Sequence, residues 1–268
     1  THVLGIAGDN DAEMKSIALE KGFHHSLPDQ VEGEAKEMER LFDVSKEVKK
    51  RRDFRTTTTF TIDPADAKDF DDALSIRDLG DGTYEVGIHI ADVSFFVKEG
   101  GVIDSEAYDR ATSVYLVDRT IPMLPEILSN NLCSLVPNQD RLTMSAVFTL
   151  DTDGNVLTEW YGETIIHSQQ RFTYEEAQQG IVKKTGPLAK ELEILNGIAK
   201  NLRRERVRAG ALMIDAPEVK FTLDATGHPT GVTIKHHYDS NHLIEEFMLL
   251  ANRKVSEWVE KKFKKNER

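Results

Sequence analysis

The run Thr56-Thr57-Thr58-Thr59-Phe60-Thr61-Ile62-Asp63-Pro64-Ala65-Asp66-Ala67-Lys68-Asp69-Phe70-Asp71-Asp72-Ala73-Leu74-Ser75-Ile76 decides how the chain is read. Its opening residues, Thr56 to Ile62, are rich in β-branched side chains, which pack well on a pleated surface, and predict a strand. Its last residues, Ala73 to Ile76, predict another. Between them stand Asp63, Asp66, Asp69, Asp71 and Asp72. Carboxylates this close repel one another unless water or a multivalent cation separates their charges. A loop closing between two strand ends can bring its first and last carboxylates onto one ion. Oxygen-only ligands suit a hard cation such as Mg²⁺, Mn²⁺ or Ca²⁺.

Calcium can be tested against the spacing. An EF-hand loop needs glycine at its sixth position and glutamate at its twelfth. Counting from Asp66 puts Asp71 and Arg77 there, and counting from Asp69 puts Leu74 at the sixth. Neither fits. Incomplete oxygen cages that leave room for substrate phosphates are more typical of magnesium, which can activate a water and steady the leaving oxygen in phosphodiester hydrolysis. On spacing alone, a solvated acidic loop stands as an equal alternative.

Outward from this run, Ala73–Ile76, Gly80-Asp81-Gly82 and Tyr84–Ile90 read as strand, tight turn, strand. A second hairpin is predicted from Met144–Leu150, Asp153-Gly154 and Val156–Ile166. Val31, Ala35, Met38, Leu41 and Phe42 recur at helical spacing behind Pro28-Asp29. Leu188, Leu192, Leu195, Ile198 and Leu202 mark a second helix. Leu243, Phe247, Leu250, Ala251, Val255, Trp258 and Val259 mark a third, with Asp239 or Ser240 as its N-cap. Glu218–Leu223 and Gly231–His236 read as strands. Hairpins mixed with helices give an α+β fold, with a mixed, mainly antiparallel sheet and packed helices.

The chain has 268 residues, 39% of them hydrophobic, enough for a real core. No apolar segment is long enough to span a bilayer. One cysteine, Cys133, permits no internal disulfide and suits a reducing, cytoplasmic setting. The net charge of −12 argues against a protein that grips a polyanion with its whole surface. It leaves room for a metal site lined locally by carboxylates. The basic run Lys46–Arg55 reads as a solvated linker face, as does Arg203–Arg208 on its helix. His89, among apolar strand residues, reads as a satisfied core histidine, and Cys133 as a small packing residue.

Several long, ordered motifs resemble the ribonuclease II and ribonuclease R exoribonucleases, whose catalytic unit is the RNB domain, with ribonuclease R the most similar. Thr61–Asp72 is similar to that family's signature, its Asp-x5-Asp-x-Asp-Asp spacing met by Asp63, Asp69, Asp71 and Asp72. Ile88–Val93, Arg110–Leu116, Pro122–Pro125, Leu128–Leu135 and Leu243–Asn252 also fit. The resemblance covers residues 51–268, and residues 1–50 look like a helical segment leading from a preceding cold-shock domain. Thr1 to Gly5 look like the tail of that domain.

The resemblance implies magnesium-dependent, processive 3′→5′ hydrolysis of single-stranded RNA to nucleoside 5′-monophosphates, with Mn²⁺ able to substitute. It implies Asp63 and Asp72 as direct metal ligands, Asp69 completing the coordination, and Asp71 positioning or deprotonating the attacking water. Tyr115 would stack on the terminal base and Tyr174 would form a second base contact, whereas without the family match a half-buried core tyrosine is the simpler reading of Tyr115. Glu245 or Glu246 would touch the terminal ribose, although acids near a helix N-terminus are favoured by the dipole alone. The family's cold-shock-like and S1 domains, and a later arginine-bearing motif, are not in this sequence. The expectation is a catalytic fragment, weak or inactive alone. The alternative is a non-catalytic metal- or RNA-binding relative on the same scaffold.

Overall fold

The computed structural model describes residues 3–213, 219–225, 227–234 and 236–266. The expected roles of Thr1 and His2, and the ends of two expected strands at Glu218 and Lys235, lie outside the described residues. The chain divides into two compact units, one from residues 43–92, 133–214 and 237–268, the other from residues 1–42, 93–132 and 215–236.

The first of these is built on a seven-stranded sheet. Its strands are β1 (Arg52–Asp53), β2 (Thr58–Asp63), β3 (Asp72–Asp78), β4 (Thr83–Ala91), β7 (Asp140–Asp151), β8 (Val156–His167) and β9 (Gln170–Thr173). They lie in the order β1-β8-β7-β4-β3-β2-β9. Neighbours are antiparallel except at the two edges, where β1 runs parallel to β8 and β9 parallel to β2. Both expected hairpins form. Gly80, Gly82 and Gly154 take φ of 83°, 84° and 88°, the left-handed region their turns require.

Three helices of this unit, α5 (Tyr174–Lys183), α6 (Ala189–Arg208) and α7 (Asp239–Asn266), share its hydrophobic core. Phe60, Ile62, Leu74, Ile88 and Phe148 from the strands meet Ile181, Leu192, Leu195, Leu243 and Phe247 from the helices. Strand alternation explains this, because Leu74, Ile88 and Ala146 are register partners on one face. A capping box starts α5: the Thr173 hydroxyl accepts from the Glu176 amide, and the Glu176 carboxylate accepts from the Thr173 amide. The cap expected for α7 is different. Asp239 and Ser240 are its first helical residues; Asp239 pairs with Lys200 at 2.6 Å, and the Ser240 hydroxyl donates to the Tyr174 carbonyl at 2.8 Å.

A polar line crosses the same sheet. His89 lies between the Ser145 and Ser75 hydroxyls at 2.7 and 2.8 Å, and Ser145 meets Thr164 at 2.6 Å. Burial pushes the imidazole down to about 3, so His89 is neutral in the core, as its apolar neighbours suggested. The basic run departs from its reading as a solvated face. Arg51 and Asp92 form a buried ion pair at 2.7 Å, each side chain 2% exposed, and Arg52 lies over the rings of Phe54 and Trp160.

The second unit contains α1 (Asn10–Glu20), α2 (Asp29–Leu41), α3 (Val93–Phe96), α4 (Val102–Arg110), a short pair β5 (Val114–Tyr115) and β6 (Thr120–Ile121), and a hairpin of β10 (Val219–Leu223) and β11 (Pro229–Ile234). Phe42, Phe95 and Phe96 meet edge to face within it.

Candidate metal centre

Asp63 is the last residue of β2 and Asp72 the first of β3, so the antiparallel pairing of these neighbours brings the two ends of the acidic loop together. Burial raises Asp63 to about 6, against an opposing pull from the Thr61 hydroxyl and from Arg171 and a further push from Asp71 and Asp69. Burial, then the charges of Asp63 and Asp71, raises Asp72 to about 7. Asp71, on the exposed side of the loop, is raised by the desolvation of its carboxyl and by Asp69. The Oδ2 atoms of Asp63 and Asp72 are both buried without a hydrogen-bond partner.

The loop between them is held at both ends. The Arg171 guanidinium, on the neighbouring edge strand β9, donates to the carbonyls of Pro64 at 2.6 Å and Ala65 at 3.1 Å. It also lies over the Phe70 ring. At the other end, the Ser134 hydroxyl accepts from the Phe70 amide at 3.0 Å and donates to the Lys68 carbonyl at 2.7 Å. The Leu135 amide donates to the Phe70 carbonyl, and the Ala91 amide to that of Asp71, both at 2.9 Å. Phe70, 8% exposed, anchors the middle of the loop in the core.

Of the other expected site residues, Tyr174 comes to the cluster. Burial and the charges of Asp72 and Asp63 push its phenol up to about 12. Cys133 is buried next to Asp71 and Asp92 and is likewise pushed up to about 12, an inert packing thiol. Glu245 and Glu246 belong to a network of their own on α7. The Arg206 guanidinium of α6 binds Glu246 at 2.5 Å and Glu245 at 3.1 Å, and His242 meets Glu245 at 3.2 Å. Glu246 is 2% exposed, whereas Glu245 remains exposed. Tyr115 lies in the other compact unit, on β5, and is 68% exposed. Arg171 and Ser134 went unnoticed in the sequence, although Arg171 stands three residues before Tyr174 and Ser134 within a quoted motif.

Among the described residues, no group of three or more His, Cys, Asp or Glu side chains is placed to hold a metal ion by itself. The arrangement is an open set of oxygens, two of them buried and unpartnered. That fits a Mg²⁺-type ion, which binds through one or two carboxylates and keeps positions for water and phosphate.

Comparisons with known proteins agree with this fold. The RNB domain model matches residues 51–266. A DIS3-like exonuclease 2 from Xenopus tropicalis is 42% identical over 97% of this chain and 34% of its own length. A ribonuclease R from Thermotoga maritima is 38% identical over 95% of this chain and 37% of its own. The chain thus spans about a third of the length of these relatives. Mycoplasma genitalium RNase R, solved in complex with ribose methylated single-stranded RNA, superposes with a TM-score of 0.91 at 28% identity, covering 98% of this chain and 42% of that one. Yeast Ssd1, a pseudonuclease, shares the fold at 22% identity with a TM-score of 0.69 over 91% of this chain and 31% of that one. A motif-bearing sheet, a matching domain model and these relatives together place the chain in the RNB domain family.

Proposed function

We propose that this chain carries the catalytic aspartates of a metal-dependent exoribonuclease that degrades single-stranded RNA processively from its 3′ end, releasing nucleoside 5′-monophosphates. One observation carries the reading. Adjacent strands end in Asp63 and Asp72, whose inner oxygens are buried without donors and whose protons are held toward neutral pH. A hard cation relieves both penalties at once. The names of the relatives support RNA turnover, and the RNA complex of Mycoplasma RNase R supports a single-stranded substrate.

Asp63 and Asp72 would hold Mg²⁺, or Mn²⁺ in its place, with Asp69 and Asp71 completing the set. When bound, the ion supplies Lewis-acid polarisation and neutralises charge on the phosphoryl group. Asp71, on the open side of the loop, orients the attacking water and takes its proton. Water adds to the terminal phosphorus as the bond to the penultimate 3′ oxygen breaks; that oxygen takes up a proton from solvent, and Asp71 returns the one it accepted to solvent. Tyr174 keeps its phenolic proton and can donate a hydrogen bond to the terminal nucleotide. Tyr115 offers an exposed ring for base stacking, and Glu245, exposed where Glu246 is buried against Arg206, a ribose contact. Residues 1–50 lead into the catalytic domain, residues 51–268 form part of it, and cold-shock-like and S1 domains elsewhere in the full-length enzyme grip the strand. We place that enzyme in the cytoplasm. No helix among the described residues is long and apolar enough to cross a membrane.

The Ssd1 likeness shows that the fold alone does not make a nuclease. The buried, unpartnered aspartates favour catalysis over a merely scaffolding relative. Labelled single-stranded RNA incubated with the full-length enzyme tests the choice. Mononucleotides are expected only with Mg²⁺ or Mn²⁺, and Asp71→Asn should abolish their release while RNA affinity stays within about twofold. Release in EDTA would sink the metal mechanism, and binding without turnover in Mg²⁺ would favour the scaffold.

A further inference from the structure

Away from the aspartates, α6 and α7 enclose a cavity of about 320 Å³. Asn196, Ala199, Lys200 and Arg203 line it from α6, and Asp239, His242 and Leu243 from the first turns of α7. The α6 positions recur at intervals of three and four residues, so they form one stripe of that helix.

Two polar groups in this lining have no partner among the described residues. Asn196 is only 8% exposed as a residue, and its side-chain amide opens onto the cavity rather than onto a described partner. Arg203 is half-buried, and its guanidinium makes neither ion pair nor hydrogen bond. Neighbouring charges are matched. Lys200 pairs with Asp239 at 2.6 Å, His242 with Glu245 at 3.2 Å, and Arg206 with Glu246 at 2.5 Å. Arg203 therefore leaves one uncompensated positive charge in the cavity, within a chain of net charge −12. A guanidinium carries five donors in a planar fork and no acceptor, the geometry that binds phosphate oxygens in pairs.

We propose that this cavity binds a phosphate ester. The Arg203 fork takes the phosphate oxygens, with Lys200 beside it. Asn196 offers both a donor and an acceptor to the sugar or base edge, and Ala199 and Leu243 form an apolar wall. The volume suits a group of mononucleotide size. Asp239 faces the same space, but Lys200 balances its charge, so the site favours an anion carrying a polar, uncharged remainder. The positive end of the α7 dipole adds a weak field in the same sense. The ester can arrive as a free mononucleotide or as one nucleotide of a strand.

The site does not depend on the reading of the aspartates, and its test excludes them. The chain is titrated in EDTA, as the Asp71→Asn variant, with inorganic phosphate, adenosine 5′-monophosphate or a short single-stranded RNA, while the Asn196 side-chain amide and His242 resonances are followed by NMR. Saturable shifts at Asn196 are expected with at least one ester. Arg203→Gln should weaken that binding about tenfold, the loss of one charge-assisted contact. Arg204→Gln, an exposed neighbour outside the lining, should leave it unchanged. Asn196→Leu, which fills the pocket without a charge change, should also weaken it, with thermal melting confirming that each variant folds. Response to the mononucleotide alone identifies a soluble ligand, and response to RNA alone identifies a strand contact. No shift at Asn196 up to about 10 mM of any probe, or equal loss in Arg203→Gln and Arg204→Gln, overturns the proposal.

Discussion

Asp63 and Asp72 hold their protons near neutral pH because each is buried beside other carboxylates. Without a cation they titrate at about 6 and about 7, above the ordinary 3.8. The folded chain then carries protons that the unfolded chain has already released. Their contribution to stability therefore grows as pH falls through 7 and 6, is complete below the ordinary carboxylate range, and is lost as pH rises. Cation binding runs the other way, because it must displace those protons. Mn²⁺ affinity measured by calorimetry should fall about tenfold or more from pH 8 to pH 6, and Asp72→Asn should flatten that dependence. An affinity that does not change with pH would contradict the proposed ligands. At this scale the aspartates were legible, since their spacing alone raised a hard cation. Their supports were not. Nothing marks Arg171 as the partner of carbonyls at Pro64 and Ala65, and nothing in the sequence of α7 shows that Arg206 already occupies Glu246.

The strands and helices were legible for a different reason: burial imposes periods of two and 3.6 on apolar residues. The hairpins β3–β4 and β7–β8 and the helices α2, α6 and α7 all follow that signal. What periodicity cannot show is register, and so the basic run before β2 was misread. Arg51 is buried against Asp92, the single residue between β4 and α3. Arg51→Met would strand Asp92 in the core, and the expected loss is about 3–5 kcal/mol by urea unfolding. The loop clamp is milder. Ser134→Ala removes the hydroxyl that bridges Phe70 and Lys68, for an expected ~1–3 kcal/mol. Its sharper readout is weaker Mn²⁺ binding, because the loop that carries Asp69 and Asp71 loses one of its side-chain anchors. The polar line through β3, β4, β7 and β8 gives a further test. His89 titrates at about 3 when folded, below its ordinary 6.5. Its stabilisation is therefore fully present above 6.5 and is lost as pH falls toward 3, opposite in sign to the aspartates. The stability gap between the native chain and His89→Gln should narrow from pH 7.5 to pH 5.

On the scale of the whole chain, an acidic balance of −12 sets the terms of any encounter with RNA. Few phosphate contacts mean few released counterions, so RNA affinity of this chain should depend only weakly on KCl, with a slope near that of one or two contacts, about −0.7 each. A steep slope, read by fluorescence anisotropy, would reveal a basic surface that the composition does not suggest. Chain connectivity has its own consequence. The sheet joins β9 to β2 as parallel neighbours, and Arg171 reaches a carbonyl 107 positions earlier in the chain. Closing so long a loop costs entropy that only late contacts recover. A nascent chain that has emerged only through β4 holds the whole acidic loop and both strands that flank it. It has neither Arg171 nor Tyr174. During synthesis eighty residues separate the end of β4 at Ala91 from Arg171 (about four to sixteen seconds at ordinary translation rates), and over that interval the acidic loop is open to any cation in the cell.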